Sequence, residues 1–121
     1  MNKFIKIIFL IILIFPLLFL NLATASEKLK IGILVPMTGS NKDLGQSIIK
    51  AVRLAVKDID SNLIEVIPKD TASMPNKTLK SAFELKEMGV RIVIGPIFHK
   101  NLIYLDEIND LTFLSLTNKT L

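Results

Sequence analysis

The stretch KIGILVPMTGSNKDLGQSIIKAVRLAVKDID, Lys30 to Asp60, sets a greasy strand before a long amphipathic helix and joins them through a junction, Pro36 to Gly45. LKIGILVP is nearly continuous in apolar residues, with Ile31, Ile33, Leu34 and Val35. Continuity rather than alternation suits a strand buried on both faces of a parallel sheet. Beyond the junction, Gln46, Lys50, Arg53, Lys57 and Asp60 recur at three- and four-residue steps and mark a wet helix face. Leu44, Ile48, Val52, Val56 and Ile59 mark the dry one, and Ala51 and Ala55 are expected to let the helix approach the sheet closely. Ser40 or Asn41 is the expected N-cap. The junction itself holds two glycines, a proline and short polar side chains, and no obvious catalytic group.

Downstream the same alternation of elements repeats. LIEVIPKD, Leu63 to Asp70, reads as a second strand, with Pro68 better placed at a strand end than at a centre. PNKTLKSAFELKEMG carries Pro75 in a first helical turn and Gly89 as a C-cap, and Lys80 and Glu84 are spaced to pair on its surface. VRIVIGP is a third strand, stopped by Gly95-Pro96. A short helix is expected over Asn101 to Asn109 with Leu102, Leu105 and Ile108 turned inward, and LTFLSLTN is a fourth strand. Strand and helix alternating in this way predict an α/β fold, a parallel, doubly wound three-layer sandwich with right-handed crossovers. The last strand has no helix after it to cover the sheet. The expectation is an incomplete first lobe, the front portion of something larger; a defunct, truncated α/β fragment is the bland alternative.

The first residues belong to a different object. Lys3 and Lys6 precede an apolar run from Ile7 to Leu20, and Ala23 and Ala25 supply a small-x-small pattern. Residues 1–25 read as a secretory signal cleaved after Ala25, touching only the secretion machinery, and residues 26–121 as the partial lobe. The run is shorter than the roughly 20 residues that span a bilayer, and Pro16 lies within it. Without Lys3 and Lys6, thirteen Lys/Arg face eleven Asp/Glu, a net charge of +2. So even a balance offers no basic stripe for nucleic acid. There is no cysteine, so the exported lobe is held by packing alone.

The chemistry-bearing residues are sparse. One histidine and no cysteine leave a zinc site short of ligands, and no cofactor is expected. Asp43, Asp70 and Asp106 show no paired spacing for acid/base work. Neither a phosphate-gripping glycine run nor a Gly-x-Ser-x-Gly nucleophile elbow is present. No enzyme is read here. Asn76-Lys77-Thr78 and Asn118-Lys119-Thr120 match the glycosylation sequon, a match common by chance. In open α/β sheets a ligand lies beyond the carboxyl ends of the strands, and three junctions meet that description: PMTGSNKDLG, GPIFHKN and SLTNKT. Backbone N–H groups at a helix start suit an anion such as a carboxylate. Thr38, Ser40, Thr117 and Asn118 add short-range hydrogen bonds, and His99 is a ligand or rim contact. Ser40 is as easily a helix cap, Thr38 a turn residue, and His99 and Lys100 solvated loop residues.

Taken in order, KIGILVPMTGSNKDLGQSIIKAVRLAVKDID, KDTASMP, GVRIVIGPIFHKN and TFLSLTN resemble the opening of a type I periplasmic binding protein of the leucine/isoleucine/valine-binding branch. The Pro-x-Thr-Gly junction, the glycine at Gly45, Asp70-Thr71 and Ile94-Gly95-Pro96 carry that resemblance. It implies two α/β lobes closing over a small solute, with this chain contributing part of the first. It further implies delivery of an amino acid or similar solute to an inner-membrane ABC permease from the periplasm, without chemistry. Carried over by position, Thr38-Gly39 lies in the first binding loop and Thr117-Asn118 in the fourth. Leu44 stands where amino-acid binders often place an aromatic residue, and His99 where they usually place a serine. A sister branch, the activators of penicillin-binding proteins that regulate peptidoglycan synthesis, shares this lobe and is the alternative; its lipid-bearing cysteine is not present here.

Overall fold

The computed structural model describes residues 2–19 and 26–117. An N-terminal helix, α1 (Lys3–Phe19), is followed by β1 (Leu29–Val35), α2 (Lys42–Asp58), β2 (Ile64–Asp70), α3 (Pro75–Glu87), β3 (Ile92–Ile94) and β4 (Thr112–Leu114). The four strands form one parallel sheet in the order β2-β1-β3-β4. The doubly wound α/β reading therefore stands. The cleavage pattern at Ala23 and Ala25 lies outside the described residues, and no helix among those described is long and apolar enough to cross a membrane.

β1 is the spine. It pairs along its whole length with β2, from Leu29 opposite Ile64 to Val35 opposite Asp70, and from Ile31 to Ile33 with β3. Its side chains alternate between two cores. Ile33 and Val35 meet Ile49 of α2 on one face, while Leu34 joins Val93, Leu85 and Ala82 beneath α3 on the other. All these residues are buried, so β1 has no wet face, which is why its sequence runs apolar without alternating. Pro68 sits inside β2 rather than at its end. β2 is an edge strand, and there a missing N–H costs no ladder bond on the open side.

The helices depart from expectation in instructive ways. On α2, Gly45 and Ile49 are buried, with Ile48, Val52 and Val56 partly so. Leu44 and Ile59 are exposed, and so are Ala51 and Ala55. The close approach comes instead from Gly45, where an added Cβ would overlap the Pro36 carbonyl oxygen. α3 begins with Pro75 in its first turn and ends in a Schellman arrangement. Gly89, at φ 82°, donates to the Lys86 carbonyl, and the Val90 N–H reaches back to Leu85. Glu84 pairs with Lys69 of β2 at 2.8 Å rather than with Lys80, tying helix to strand. The expected helix over Asn101 to Asn109 is two 3-10 turns, His99–Asn101 and Leu105–Glu107. Leu102, Leu105 and Ile108 nevertheless fill the core under α3 as their spacing predicts. Three inward side chains suffice to seat the segment, and its short hydrogen-bonded pieces need no α-helical continuity. The fourth strand is limited to Thr112–Leu114.

Alanine at position 45 is the sharpest test of this packing. A helix-interior Gly→Ala exchange alone stabilises by about 1 kcal/mol. Here the new Cβ meets backbone, and overpacking of that kind costs about 1–3 kcal/mol. Gly45→Ala is predicted to lower the urea midpoint; a raised midpoint would show that α2 does not sit down on Pro36.

Candidate functional site

All the junctions of interest emerge at the carboxyl edge of the sheet, and β1 is flanked there by β2 on one side and β3 on the other. The crossovers that leave β1 toward β2 and β3 toward β4 thus diverge in opposite directions. The crevice between the ends of β1 and β3 is the switch point where open α/β sheets place ligands. Met37 from the first junction and Ile97 from the third both pack against the apolar cluster below this point and supply its floor.

The first junction is held by one carboxylate. Asp70, the last residue of β2, accepts the Met37 N–H at 2.7 Å and the Thr38 N–H at 3.3 Å on Oδ1. Its Oδ2 accepts the Thr38 hydroxyl at 2.7 Å and Lys77 Nζ at 2.6 Å. The Ala72 N–H closes an Asx turn onto Oδ1 at 2.9 Å. That turn carries Ala72 and Ser73 at φ 45° and 58°, a left-handed conformation that costs non-glycine residues of order 1 kcal/mol or more. Asp70 and the Thr71 hydroxyl, which accepts the Ser73 N–H at 3.2 Å, hold it there. Asn41 adds a cross-junction bond from Nδ2 to the Ser73 hydroxyl at 3.1 Å.

The electrostatics follow from these bonds. Partial burial pushes the Asp70 carboxyl upward, but the Lys77 ammonium, the Met37 N–H, the Thr38 hydroxyl and the Ala72 N–H together hold it well below the usual carboxylate range. The hydrogen bond and charge of Lys69 lower Glu84 in the same direction.

The sequence-predicted residues are disposed as follows. Thr38 is exposed, with its hydroxyl proton committed to Asp70 and its oxygen still able to accept. Ser40 is exposed and is not the cap: α2 is capped at Asn41, without a side-chain bond to its first turn. His99 is half-buried in the third junction, where its Nδ1 has no hydrogen-bond partner among the described residues. Thr117 follows β4, its N–H bonded to the Ser115 hydroxyl at 3.3 Å, while Asn118 lies outside the described residues. Third and fourth junctions are bound together, since the Leu116 N–H donates to the Pro96 carbonyl at 3.1 Å. Lys100 is exposed.

Sequence reasoning missed four residues of this region. Asp70 is the largest omission; an acidic residue ending a strand beside a Thr-Gly loop was the available signal. Asn101 is 1% exposed with neither end of its amide partnered among the described residues. Nothing in its local sequence announces burial, because the 3-10 turn that buries it is not periodic. Met37 and Ile97 were legible only as apolar loop residues. As for the sequon at Asn76, its Thr78 is fully buried and donates its hydroxyl to the Met74 carbonyl.

A surface depression of about 570 Å³ flanks the Asp70 cluster, lined by Lys69, Lys77 and Lys80 among others. Another of about 510 Å³ lies at the opposite end of the strands, around Glu27 to Lys30 and Arg91. Neither of these two depressions is bounded by Ser40, His99 or Thr117. Among the described residues no group of three or more His, Asp or Glu side chains is placed to hold a metal ion.

Comparison with known proteins agrees with this geometry. The family model described as periplasmic binding protein matches residues 28–105. A leucine binding protein, LivK, from Thermotoga maritima superposes with a TM-score of 0.64 at 19% identity, covering 72% of this chain and 27% of its own. A solute binding protein of an ABC transporter from Rhodopseudomonas palustris, in complex with 3,4-dihydroxybenzoic acid, gives 0.58 at 33% identity over 61% of this chain and 22% of its own. Full-length LpoA from Haemophilus influenzae gives 0.60 at 23% identity over 74% of this chain and 16% of its own. The chain thus spans about a quarter or less of the length of these structures. No curated protein matches it.

The Asp70 cluster makes a signed prediction. A carboxyl whose folded pKa is depressed contributes stability above its unfolded pKa of about 3.9, and that contribution is lost as pH falls toward the folded value. Asp70→Asn is predicted to destabilise the protein at pH 7 by about 1–3 kcal/mol. It should also flatten the fall in stability below about pH 4. Equal acid limbs in urea titrations of the two proteins would show that Asp70 is not the latch.

Proposed function

This chain belongs to the periplasmic binding protein family, and on that premise we propose that it forms one wall of the solute cleft of an extracytoplasmic binding protein serving an ABC transporter. The observation that carries the reading is the convergence of the β1, β3 and β4 junctions on the switch-point edge, over an apolar floor of Met37 and Ile97. The solute is small and carries a carboxylate. It meets the first-turn N–H groups of α2, which no side chain caps, and the hydroxyl of Ser40 beside them. Thr38 offers its oxygen as an acceptor to a solute N–H or O–H, because its proton is held by Asp70. His99 and Thr117 line the remaining rim.

Two solute chemistries fit these groups, an amino acid and a hydroxylated aromatic acid. His99, standing where a small hydroxyl serves amino-acid binders, favours a flat acid that an imidazole can edge or stack against. In this reading residues 1–25 are a signal removed after Ala25, the product works in the periplasm, and its partner is an inner-membrane permease. It takes no cofactor. A second reading, an activator of a penicillin-binding protein, draws on the superposition with LpoA over 74% of this chain.

Thermal shift on the full-length gene product separates them. Isoleucine and 3,4-dihydroxybenzoate are the two probes, and saturation at 100 times the dissociation constant stabilises by about 2.7 kcal/mol. One probe is predicted to raise the melting temperature, with Ser40→Ala weakening the effect about tenfold in affinity. No response to either, together with binding to a penicillin-binding protein, would favour the activator.

A further inference from the structure

β2 is an outer strand of the sheet, and it keeps pairing chemistry on the side away from β1. The Leu29 N–H donates to the Leu63 carbonyl and the Thr71 N–H to the Val35 carbonyl, while Leu29 stands opposite Ile64 and Val35 opposite Asp70. In a parallel ladder that phase commits the backbone of Leu63, Glu65, Ile67, Lys69 and Thr71 to β1. Ile64, Val66, Pro68 and Asp70 turn theirs outward. The Asp70 carbonyl accepts the Ser81 hydroxyl at 3.0 Å. Ile64 and Val66 each offer an N–H and a carbonyl to the open side, and Pro68 a carbonyl alone.

An open edge seven residues long is a template for another strand, and the strand it matches is its own copy. Turned about an axis perpendicular to the sheet, a second copy lays its β2 antiparallel beside the first. With Val66 on the axis, the two Val66 residues exchange both bonds, and each Ile64 N–H meets the Pro68 carbonyl of the other copy. The reverse bonds, from residue 68 to the Ile64 carbonyl, are missing because proline has no proton to give. With the axis at Ile67 or Pro68, the same proline still faces a carbonyl. With the axis at Glu65, that exposed carboxylate stands directly opposite its copy, a destabilising like-charge pair. Beyond Glu65 the strand runs out.

The helix beside the edge acts in the same sense. On α3, Glu84 reaches Lys69 of β2 while Lys86 reaches Asp110 just before β4, which fixes how the turns of that helix sweep across the strands. α2 runs in the same direction on the other face, so its turns sweep the opposite way. Residues along a helix are set about 100° apart. With Gly45 and Ile49 inward, Gln46, Arg53 and Lys57 therefore fall on the flank beside the outer edge of β2. All three are exposed, and among the described residues neither cation has an ion-pair partner. In the paired arrangement α2 would lie two strand spacings from its copy, about 10 Å, close enough for contact. Arg53 and Lys57 would then press against the same two cations. We propose that the outer edge of β2 is a pairing surface for a second copy of this chain, and that Pro68, Glu65 and the Arg53–Lys57 flank hold it shut. The native chain stays single along this edge, whatever solute the cleft takes.

Backbone hydrogen exchange in the full chain tests the edge residue by residue. In the natural chain the Ile64 and Val66 amides should exchange fast at every protein concentration, while Glu65 and Ile67 are protected by β1. Pro68→Val restores the missing donor, and Arg53→Glu turns a cation–cation meeting into a cation–anion one. In that double variant at high concentration, the Ile64 and Val66 amides should slow at least about tenfold and recover on dilution. Adding Val66→Pro, which deletes an outward donor and no bond to β1, should restore fast exchange at Ile64. Slow exchange of Ile64 and Val66 in the natural chain would overturn the proposal, because the edge would already be covered by α1 or by a second copy. Fast exchange that persists in the double variant, slowing that survives Val66→Pro, or lost protection at Glu65 and Ile67 would each overturn it as well.

Discussion

A single carboxylate fixes the geometry of the first two junctions at the carboxyl edge of the sheet. Asp70 ends β2, and its two oxygens gather the backbone of the first junction, the hydroxyl of Thr38, the turn into α3 and the ammonium of Lys77. Without it, the Met37 and Thr38 N–H groups would lose their acceptor, and the left-handed pair Ala72-Ser73 its anchor. A carboxylate does this better than a neutral amide because charge-assisted bonds are shorter and roughly twice as strong. The consequence reaches α2: with the first junction pinned to the end of β2, the start of the helix is held at the carboxyl edge of the sheet.

That arrangement divides labour between neighbouring junctions. The second, between β2 and α3, is a scaffold whose polar groups largely satisfy one another. The first and third reach the same edge, and there Ser40 and the Nδ1 of His99 make no hydrogen bond within the described structure. Beneath them Gly45 lets α2 settle on Pro36, so that the helix start lies low against the sheet edge. A residue with a side chain at that position would lift the helix, and with it the N–H groups of its first turn.

The fold was largely legible in the sequence because it rests on periodicity. The buried run of β1, Pro75 and Gly89 bracketing α3, and the inward spacing of Leu102, Leu105 and Ile108 each carry a local physical signal. Misreadings came where tertiary partners decide. Leu44, Ala51, Ala55 and Ile59 belong to an apolar helix face by pattern, but α2 packs on β1 and β2 through a narrower stripe, with Gly45 and Ile49 buried and Ile48, Val52 and Val56 partly so. Glu84 found Lys69 across the layer instead of Lys80 along the helix. The candidate site is proposed at the carboxyl edge from sequence and structure alike, while Asp70, which organises the junctions there, was not legible. Asp70 acts through partners 32 and 33 positions away in the chain, and no local spacing records such a meeting.

The central claim is that a carboxylated solute meets the protein at the switch-point edge. Amide chemical-shift mapping during titration of the full-length protein with 3,4-dihydroxybenzoate or isoleucine tests it most directly. Saturable shifts are predicted at Met37 to Asn41, Ile97 to His99 and Ser115 to Thr117. Shifts gathered instead around Glu27 to Lys30 and Arg91, at the opposite end of the strands, would contradict the account.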